Sequence, residues 1–235
     1  MNAPGEFVFL LDCDNTLLDN DRVIEDLRAH LASAFGPACS DRYWEVFEAL
    51  RDELGYADYL GALQRYRLDV LNDPELLQMS EYLLEYPFTE SLYPQALQVI
   101  DHLRRQGTTV ILSDGDVVFQ PRKIQRSGLW RAVDGRVLIY IHKENMLDEV
   151  AQRYPAHHYV MVDDKLRILA EMKKCWRARL TTVFPRQGHY ALDAHRNAAF
   201  PPADLAIARI GDLLEYDFHA LTGSARPVDG QQETT

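Results

Sequence analysis

An α/β fold, built as an open and mostly parallel sheet flanked by helices with an all-helical unit inserted into it, is predicted by three features of the sequence. Short apolar runs stop abruptly on polar residues, helical patterns separate the later runs, and a long stretch after the first run contains no strand pattern. The first run, Phe7-Val8-Phe9-Leu10-Leu11, is apolar at every position and ends at Asp12, which is how a strand buried on both faces looks. From Asn20 to Thr89 the pattern is helical. Val23, Ile24, Leu27, Leu31 and Phe35 give one apolar stripe and Trp44, Phe47, Leu50 and Leu54 another, punctuated by Gly36-Pro37, Gly55 and Asn72-Asp73-Pro74. Pro94 opens a helix carrying Leu97, Ile100 and Leu103, which Gly107 closes. Strands follow at Thr109–Leu112, Tyr159–Val162 and Leu180–Phe184, with a fainter one at Leu205–Ala208. The resulting division is a core of residues 1–17 and 91–222, a helical insertion of 18–90 and a polar, disordered tail of 223–235. Ligands of such sheets bind beyond the carboxyl ends of the strands. Three of those ends carry Asp12, Ser113 and Asp163.

Composition narrows the function. The chain has 235 residues, 47% of them hydrophobic, enough for one good core and a smaller accessory unit. With 36 acidic against 25 basic residues and a net charge of −11, it has no general attraction for nucleic acid or anionic lipid, so neither is an expected partner. Cys13, Cys39 and Cys175 lack metal-ligand spacing and suggest a reducing, intracellular setting without disulfides. No basic segment precedes the first apolar run, and no apolar stretch nears the roughly 18 residues of a membrane span. A cytoplasmic location is the expectation.

The chemistry concentrates at Asp12-Cys13-Asp14-Asn15-Thr16. Two carboxylates two residues apart on an extended chain aim the same way, and Cys13 between them aims the other way, into packing. Asp and Asn also end strands and build turns without doing chemistry. The segment Leu10 to Leu17 resembles the first motif of the haloacid dehalogenase superfamily, a buried strand followed by Asp-x-Asp-x-Thr. Three further segments follow in that family's order. Ile111-Leu112-Ser113-Asp114-Gly115 resembles the second motif, Lys143 the third, and Met161-Val162-Asp163-Asp164 the fourth. Taken singly, Ser-Asp-Gly is turn chemistry, a lone Lys is a surface charge and Asp is a common helix cap. The resemblance rests on the four together and extends from Phe7 to Asp212.

The resemblance implies a Rossmann-like core, a helical cap between the first and second motifs, and a phosphatase working with Mg2+ on a small phosphorylated molecule. It casts Asp12 as nucleophile, Asp14 as general acid and base, Ser113 with the backbone about Asp114 and Gly115 as the holder of phosphoryl oxygens, and Lys143 as the balancing cation. Lys123 stands as an alternative to Lys143. The metal would be held by Asp12, the backbone carbonyl of Asp14 and an acid of the fourth motif, Asp164 first and Asp163 as a second ligand or supporting partner. Two departures from the family pattern are visible: Arg167 and Ile168 stand where many relatives carry a further Asp, and Glu144-Asn145 follows Lys143 in place of a Pro-containing sequence. Tyr43, Trp44, Phe47, Tyr56, Tyr59 and Tyr66 either line the cap's pocket or form its own core. A 2-haloacid dehalogenase shares the fold and nucleophile but lacks the acid that Asp14 supplies. Cleavage of a carbon–phosphorus bond through a cap lysine is disfavoured, since no Lys occurs between Asp19 and Tyr93. A catalytically silent binding protein is the remaining alternative. His142 and the His157-His158 pair lack metal spacing and read as surface or packing residues. The chain is expected to act as a monomer or homodimer.

Overall fold

The apolar runs become the strands of a single sheet. In the structure, a computed structural model that describes residues 5–71 and 75–222, β1 (Gly5–Leu11), β2 (Thr108–Asp114), β3 (Val137–Tyr140), β4 (Ala156–Val162), β5 (Leu180–Pro185) and β6 (Leu205–Ile207) pair in the order β3-β2-β1-β4-β5-β6. Every pairing is parallel. The expected tail, 223–235, and the Asn72-Asp73-Pro74 break lie outside the described residues. Side chains of β1 alternate between two cores, as a strand covered on both faces requires. Val8 and Leu10 join Val110, Leu112 and Met161 on one face, while Phe7, Phe9 and Leu11 join Ile111, Val160 and Val162 on the other.

Between β1 and β2 run α1 (Asn20–Phe35), α2 (Pro37–Leu54), α3 (Tyr59–Tyr66), α4 (Glu75–Glu85) and α5 (Ala96–Arg104). Then α6 (Phe119–Arg126) and α7 (Leu129–Ala132) lead to β3, α8 (Leu147–Arg153) leads to β4, and α9 (Leu166–Trp176) leads to β5. Short helices α10 (Gly188–Leu192) and α11 (Ala194–Asn197) precede β6. Among the described residues no helix is long and apolar enough to cross a membrane.

Of the predicted stripes, Val23, Leu27 and Leu31 of α1 and Trp44, Phe47 and Leu50 of α2 are buried, while Ile24, Phe35 and Leu54 pack partly buried against the same core. Pro37 sits at the first turn of α2, where its missing N–H costs nothing, and Gly55 ends that helix in the left-handed conformation at φ 78°. Of the six aromatic residues singled out, Tyr43, Trp44, Phe47, Tyr59 and Tyr66 are buried, and Tyr56 instead lines a cavity. Their cluster is continuous with the core under β1 through Phe88 and Phe119, whose ring lies 4.8 Å from that of Tyr59.

Two sequence expectations shift. β3 escaped the pattern because it is a four-residue edge strand with only Leu138 fully buried, so its apolar run is too short to stand out. The helix expected from Pro94 begins at Ala96, after Gln95 turns through φ 68°. Gly107 is required for a different reason from helix closure: a Cβ there would lie 2.6 Å from the Phe7 carbonyl oxygen. It lets the chain enter β2 hard against β1.

Candidate active site

β1 and β4 are adjacent in the sheet, yet the chain leaves β1 toward β2 on one side and returns to β4 on the other. This reversal opens a crevice at their carboxyl ends, the usual ligand site of open parallel sheets. Asp12 follows β1, and Asp163-Asp164 follow β4. Backbone bonds carry the ladder one step past the strands: Asp12 N–H donates to Val162 and Asp163 N–H to Val183. These carboxylates therefore stand on the rigid sheet.

The turn after Asp12 is built by its own sequence. Leu17 and Leu18 N–H both donate to the Cys13 carbonyl, and Asn15 takes φ 58°, a left-handed conformation that Asn tolerates well. The Asn15 amide oxygen then accepts from the backbone of Asn20 and Asp21 and fastens the start of α1. Thr16 Oγ1 accepts from the Asp164 N–H at 3.2 Å, so the threonine of the first segment fixes the acidic pair of the fourth. Cys13 packs in the core, and burial pushes its thiol well above the ordinary range. That suits the packing role.

Asp12, Asp163 and Asp164 are all buried, and each can offer an oxygen within 4.8 Å of the others. Lys143 reaches them from the 3₁₀ turn after β3. Its Nζ donates to Asp12 Oδ1 and to the Leu112 carbonyl, and it pairs with Asp163 Oδ2 at 2.7 Å. Burial pushes Asp12 up to about 7, with Lys143 pulling it down and Asp163 pushing it further up. Burial alone would lower Lys143, but Asp12, Asp163 and Asp114 outweigh it and raise it. Asp164 is pushed well above the carboxylate range, first by burial, and among the described residues neither of its oxygens has a hydrogen-bond partner. Buried carboxylate oxygens left unpaired are costly, and three acids set against two lysines, Lys143 and Lys165, still invite a further cation. An all-oxygen donor set of Asp12, Asp163, Asp164 and the adjacent backbone suits a hard ion such as Mg2+.

The remaining predicted residues lie around this centre. Ser113 is buried at the end of β2, where its hydroxyl accepts from the Gln120 amide at 2.9 Å. The Asp114 carboxylate accepts from the Lys143 N–H at 2.7 Å, and the Gly115 N–H donates to the Tyr140 carbonyl. Asp114 thus braces the lysine turn in this structure. Asp14 faces the crevice with its side chain 27% exposed, and both its oxygens accept from Lys123 at 2.7 and 2.9 Å. The two lysines are thereby distinguished: Lys143 meets Asp12, and Lys123 meets Asp14.

A family model described as haloacid dehalogenase-like hydrolase matches residues 8–175. The chain belongs to this family. Its structure matches that of a haloacid dehalogenase-like hydrolase from Burkholderia xenovorans LB400 at 68% identity and a TM-score of 0.88, covering 91% of this chain and all 100% of that one. L-2-haloacid dehalogenase from Xanthobacter autotrophicus matches at 17% identity and TM-score 0.58, over 88% of this chain and 96% of that one. The HAD-hydrolase YfnB from Bacillus subtilis, bound to magnesium, matches at 16% and 0.60, over 92% and 98%. At those identities the likeness is of fold. No curated protein sequence matches the chain.

Several partners in this hydrolase's site, Gln120, Asn20 and Gln187 among them, had no signature in the sequence, whereas Lys123, the sequence's alternative to Lys143, takes a different carboxylate. Gln120 and Lys123 share one face of α6; Gln120 bridges Ser113 and Asp14, at 2.9 and 3.3 Å, and Lys123 reaches on to Asn20 at 3.0 Å. Asn20 donates to the Tyr59 hydroxyl, so a hydrogen-bonded path joins Asp14 to α3. The Gln187 amide holds the carbonyls of Asn15 and Thr16. Where relatives carry a further acid, Ile168 packs in the core and Arg167 pairs with Glu144 at 2.5 Å, fastening the Lys143 turn to α9.

Proposed function

We propose that this family member is a magnesium-dependent phosphohydrolase that transfers the phosphoryl group of a small phosphorylated metabolite to Asp12 and then to water. The observation that carries the reading is the pair of buried Asp164 oxygens, unpartnered among the described residues and within reach of Asp12 and Asp163. A phosphate ester and a carboxylate repel each other, and a bound magnesium ion held by Asp12, Asp163 or Asp164 and the Asp14 carbonyl would neutralise that repulsion.

In the first step an Asp12 oxygen attacks phosphorus in line as the bond to the leaving oxygen breaks, giving an aspartyl-phosphate. Asp14 delivers a proton to the departing oxygen. In the second step Asp14 takes a proton from water, whose oxygen attacks the same phosphorus and releases phosphate and free Asp12. Lys143 holds Asp12 in place and offsets its charge, while the Ser113 hydroxyl donates to a phosphoryl oxygen. Both Asp14 oxygens are bonded to Lys123, so proton delivery requires Asp14 to release one of them.

Asp12, Lys143, Asp163 and Asp164 are nearly sealed from solvent, so substrate entry needs a motion. We assign it to residues 18–90, acting as a cap that lifts away from the strand ends and excludes water when it closes. The magnesium-bound structure of YfnB reveals interdomain movement in that protein, which accords with such a cap.

Phosphate release from an aryl phosphate, measured with and without magnesium, tests the reading. Wild-type protein should turn over only with the metal, and Asp12→Asn should lose activity on the order of 10⁴-fold or more. Halide release from 2-chloropropionate without metal, in the absence of phosphatase activity, would replace this reading with the dehalogenase. Activity in neither assay would leave a silent binding protein.

A further inference from the structure

Beside the carboxylate cluster lies a second feature that phosphoryl transfer does not use. A cavity of about 340 Å3 opens next to Asp164, lined by Lys165, Arg167, Arg196, Tyr190, Asn197 and Phe200. Among the described residues no acid lines it, although acids outnumber bases 36 to 25 in the chain. Its volume is at the lower end of the range of small-molecule sites, roughly 300–1,000 Å3.

The three cations are engaged to different degrees, and Lys165 feels the charges of Asp164, Asp12 and Asp163 from beyond ion-pair distance. Arg167 pairs with Glu144, whereas Arg196 has only Asp193 at 3.8 Å among the described residues. Lys165 has no carboxylate within 4.0 Å among the described residues; its ammonium lies 4.8 Å from the Tyr190 ring centre, and Arg196 lies 5.0 Å from the same ring. The Lys165 N–H donates to Asp163 Oδ1, which fixes the start of this wall directly onto the catalytic acids. On the opposite rim, Gly55 brings the helical segment to the cavity. Gly55 packs so closely on His142 that a Cβ would lie 2.8 Å from the ring. A larger cavity of about 580 Å3 is lined by Tyr56, Leu60, Val117, Val118, Ile141 and Met146, which present apolar surface. The phosphoryl group itself is served by Asp12, Ser113 and Lys143. Lys165 thus serves both the acids and the cavity, and Arg196 is the cation left most nearly to the cavity alone.

We propose that the Lys165–Arg167–Arg196 cavity binds a second anionic group of the substrate, a carboxylate or a second phosphate, so that the preferred substrates are phosphomonoesters with an acidic arm. The assignment rests on the phosphohydrolase reading. Arginine presents a planar fork that matches either oxyanion, and Tyr190 holds Arg196 and Lys165 toward the arm. Asn197, whose amide is bonded to the carbonyls of Tyr190 and Ala191, keeps the rim in place.

Binding of three non-hydrolysable probes to the full chain with magnesium tests this by calorimetry: ethylphosphonate, 3-phosphonopropionate and propane-1,3-bisphosphonate. The probes with a second anion should bind at least about tenfold tighter than ethylphosphonate, the yield of one charge-assisted contact. The tighter of the two names the arm as carboxylate or phosphate. Arg196→Gln, at a side chain 59% exposed and so tolerant of substitution, should erase most of that preference while its unfolding midpoint stays near wild type. Equal affinity for all three probes would overturn the subsite and leave the hydrolase reading intact. Absence of binding by every probe, together with no turnover of aryl phosphate, would remove the hydrolase reading and the subsite with it.

Discussion

Two lysine–aspartate pairs, each with a buried lysine, flank the end of β1, and they are completed differently. Lys123 gives Asp14 two hydrogen bonds, gives Asn20 a third and rests against the rings of Phe119 and Tyr59. Every polar atom of that pair has a partner. Lys143 instead faces Asp12 and Asp163 with Asp164 close behind, and the Asp164 oxygens have none among the described residues. A satisfied pair holds a shape, whereas an unsatisfied cluster of like charges waits for a ligand. On this view the Lys123 side positions a group and the Lys143 side binds one. Four measurements press on the distinction.

The largest expected effect is catalytic. Asp14→Asn keeps the shape of the side chain but removes its capacity to carry a proton, so kcat for an aryl phosphate should fall ~10²–10⁴-fold with little change in magnesium requirement. A leaving group that needs no proton should recover much of the loss. If instead Asp14→Asn leaves kcat intact, the Asp14–Lys123 pair is structural only.

Next comes stability. Lys123→Met strips Asp14 and Asn20 of a cation, and because the Asp14 side chain is 27% exposed the cost should fall below the roughly 3–5 kcal/mol of breaking a fully buried pair. Because the remaining charge is the source of that cost, the double variant Lys123→Met/Asp14→Asn should recover a large part of it in urea unfolding. Equal losses in the single and double variants would show that packing against Phe119 and Tyr59 dominates. Added magnesium should not rescue either variant, which marks this pair off from the other.

Magnesium should by contrast stabilise the wild type, by about 2.7 kcal/mol at a hundredfold excess over its dissociation constant. Asp164→Asn should abolish most of that gain, because it removes an oxygen that the ion would share with Asp12 and Asp163. A magnesium shift that survives Asp164→Asn would transfer the ligand role to Asp163.

The same contrast explains what the sequence made legible. Residues that act at strand ends leave a signature: Asp12, Ser113 and Asp163-Asp164 interrupt apolar runs, and the sheet order places them together at the crevice. Lys143 and the first-motif Thr16 were readable only by resemblance, because a lone Lys or Thr has no pattern of its own. Gln120, and the pairing of Lys123 with Asp14 rather than with Asp12, were hidden more deeply. The two residues sit on a short helix among Pro121, Arg122 and Arg126, where polar residues are ordinary, and only the tertiary packing of α6 against the turn after β1 turns them inward. The helical stripes were visible because burial imposes a period on them. β3 was not, because an edge strand of four residues buries too little to impose one.

The smallest effect concerns protons. Burial holds Asp12 up at about 7 in the metal-free protein, against 3.8 for a free side chain, so the folded chain binds a proton that the unfolded chain gives up. This group's contribution to metal-free stability is greatest below about pH 4 and is lost as pH rises toward 7. Magnesium needs the same oxygens ionised, and its affinity should move the opposite way. Below about pH 7 the magnesium concentration for half-maximal activity should rise roughly tenfold per unit of acidification, and above that it should level off. The gap between the unfolding midpoints with and without magnesium should accordingly widen from pH 4 to 7. Asp12→Asn, which has no proton to lose, should flatten the pH dependence of that gap. A magnesium requirement independent of pH across this range would mean that the cation does not share oxygens with Asp12, and the unsatisfied side of the comparison would have to be completed by something other than a metal.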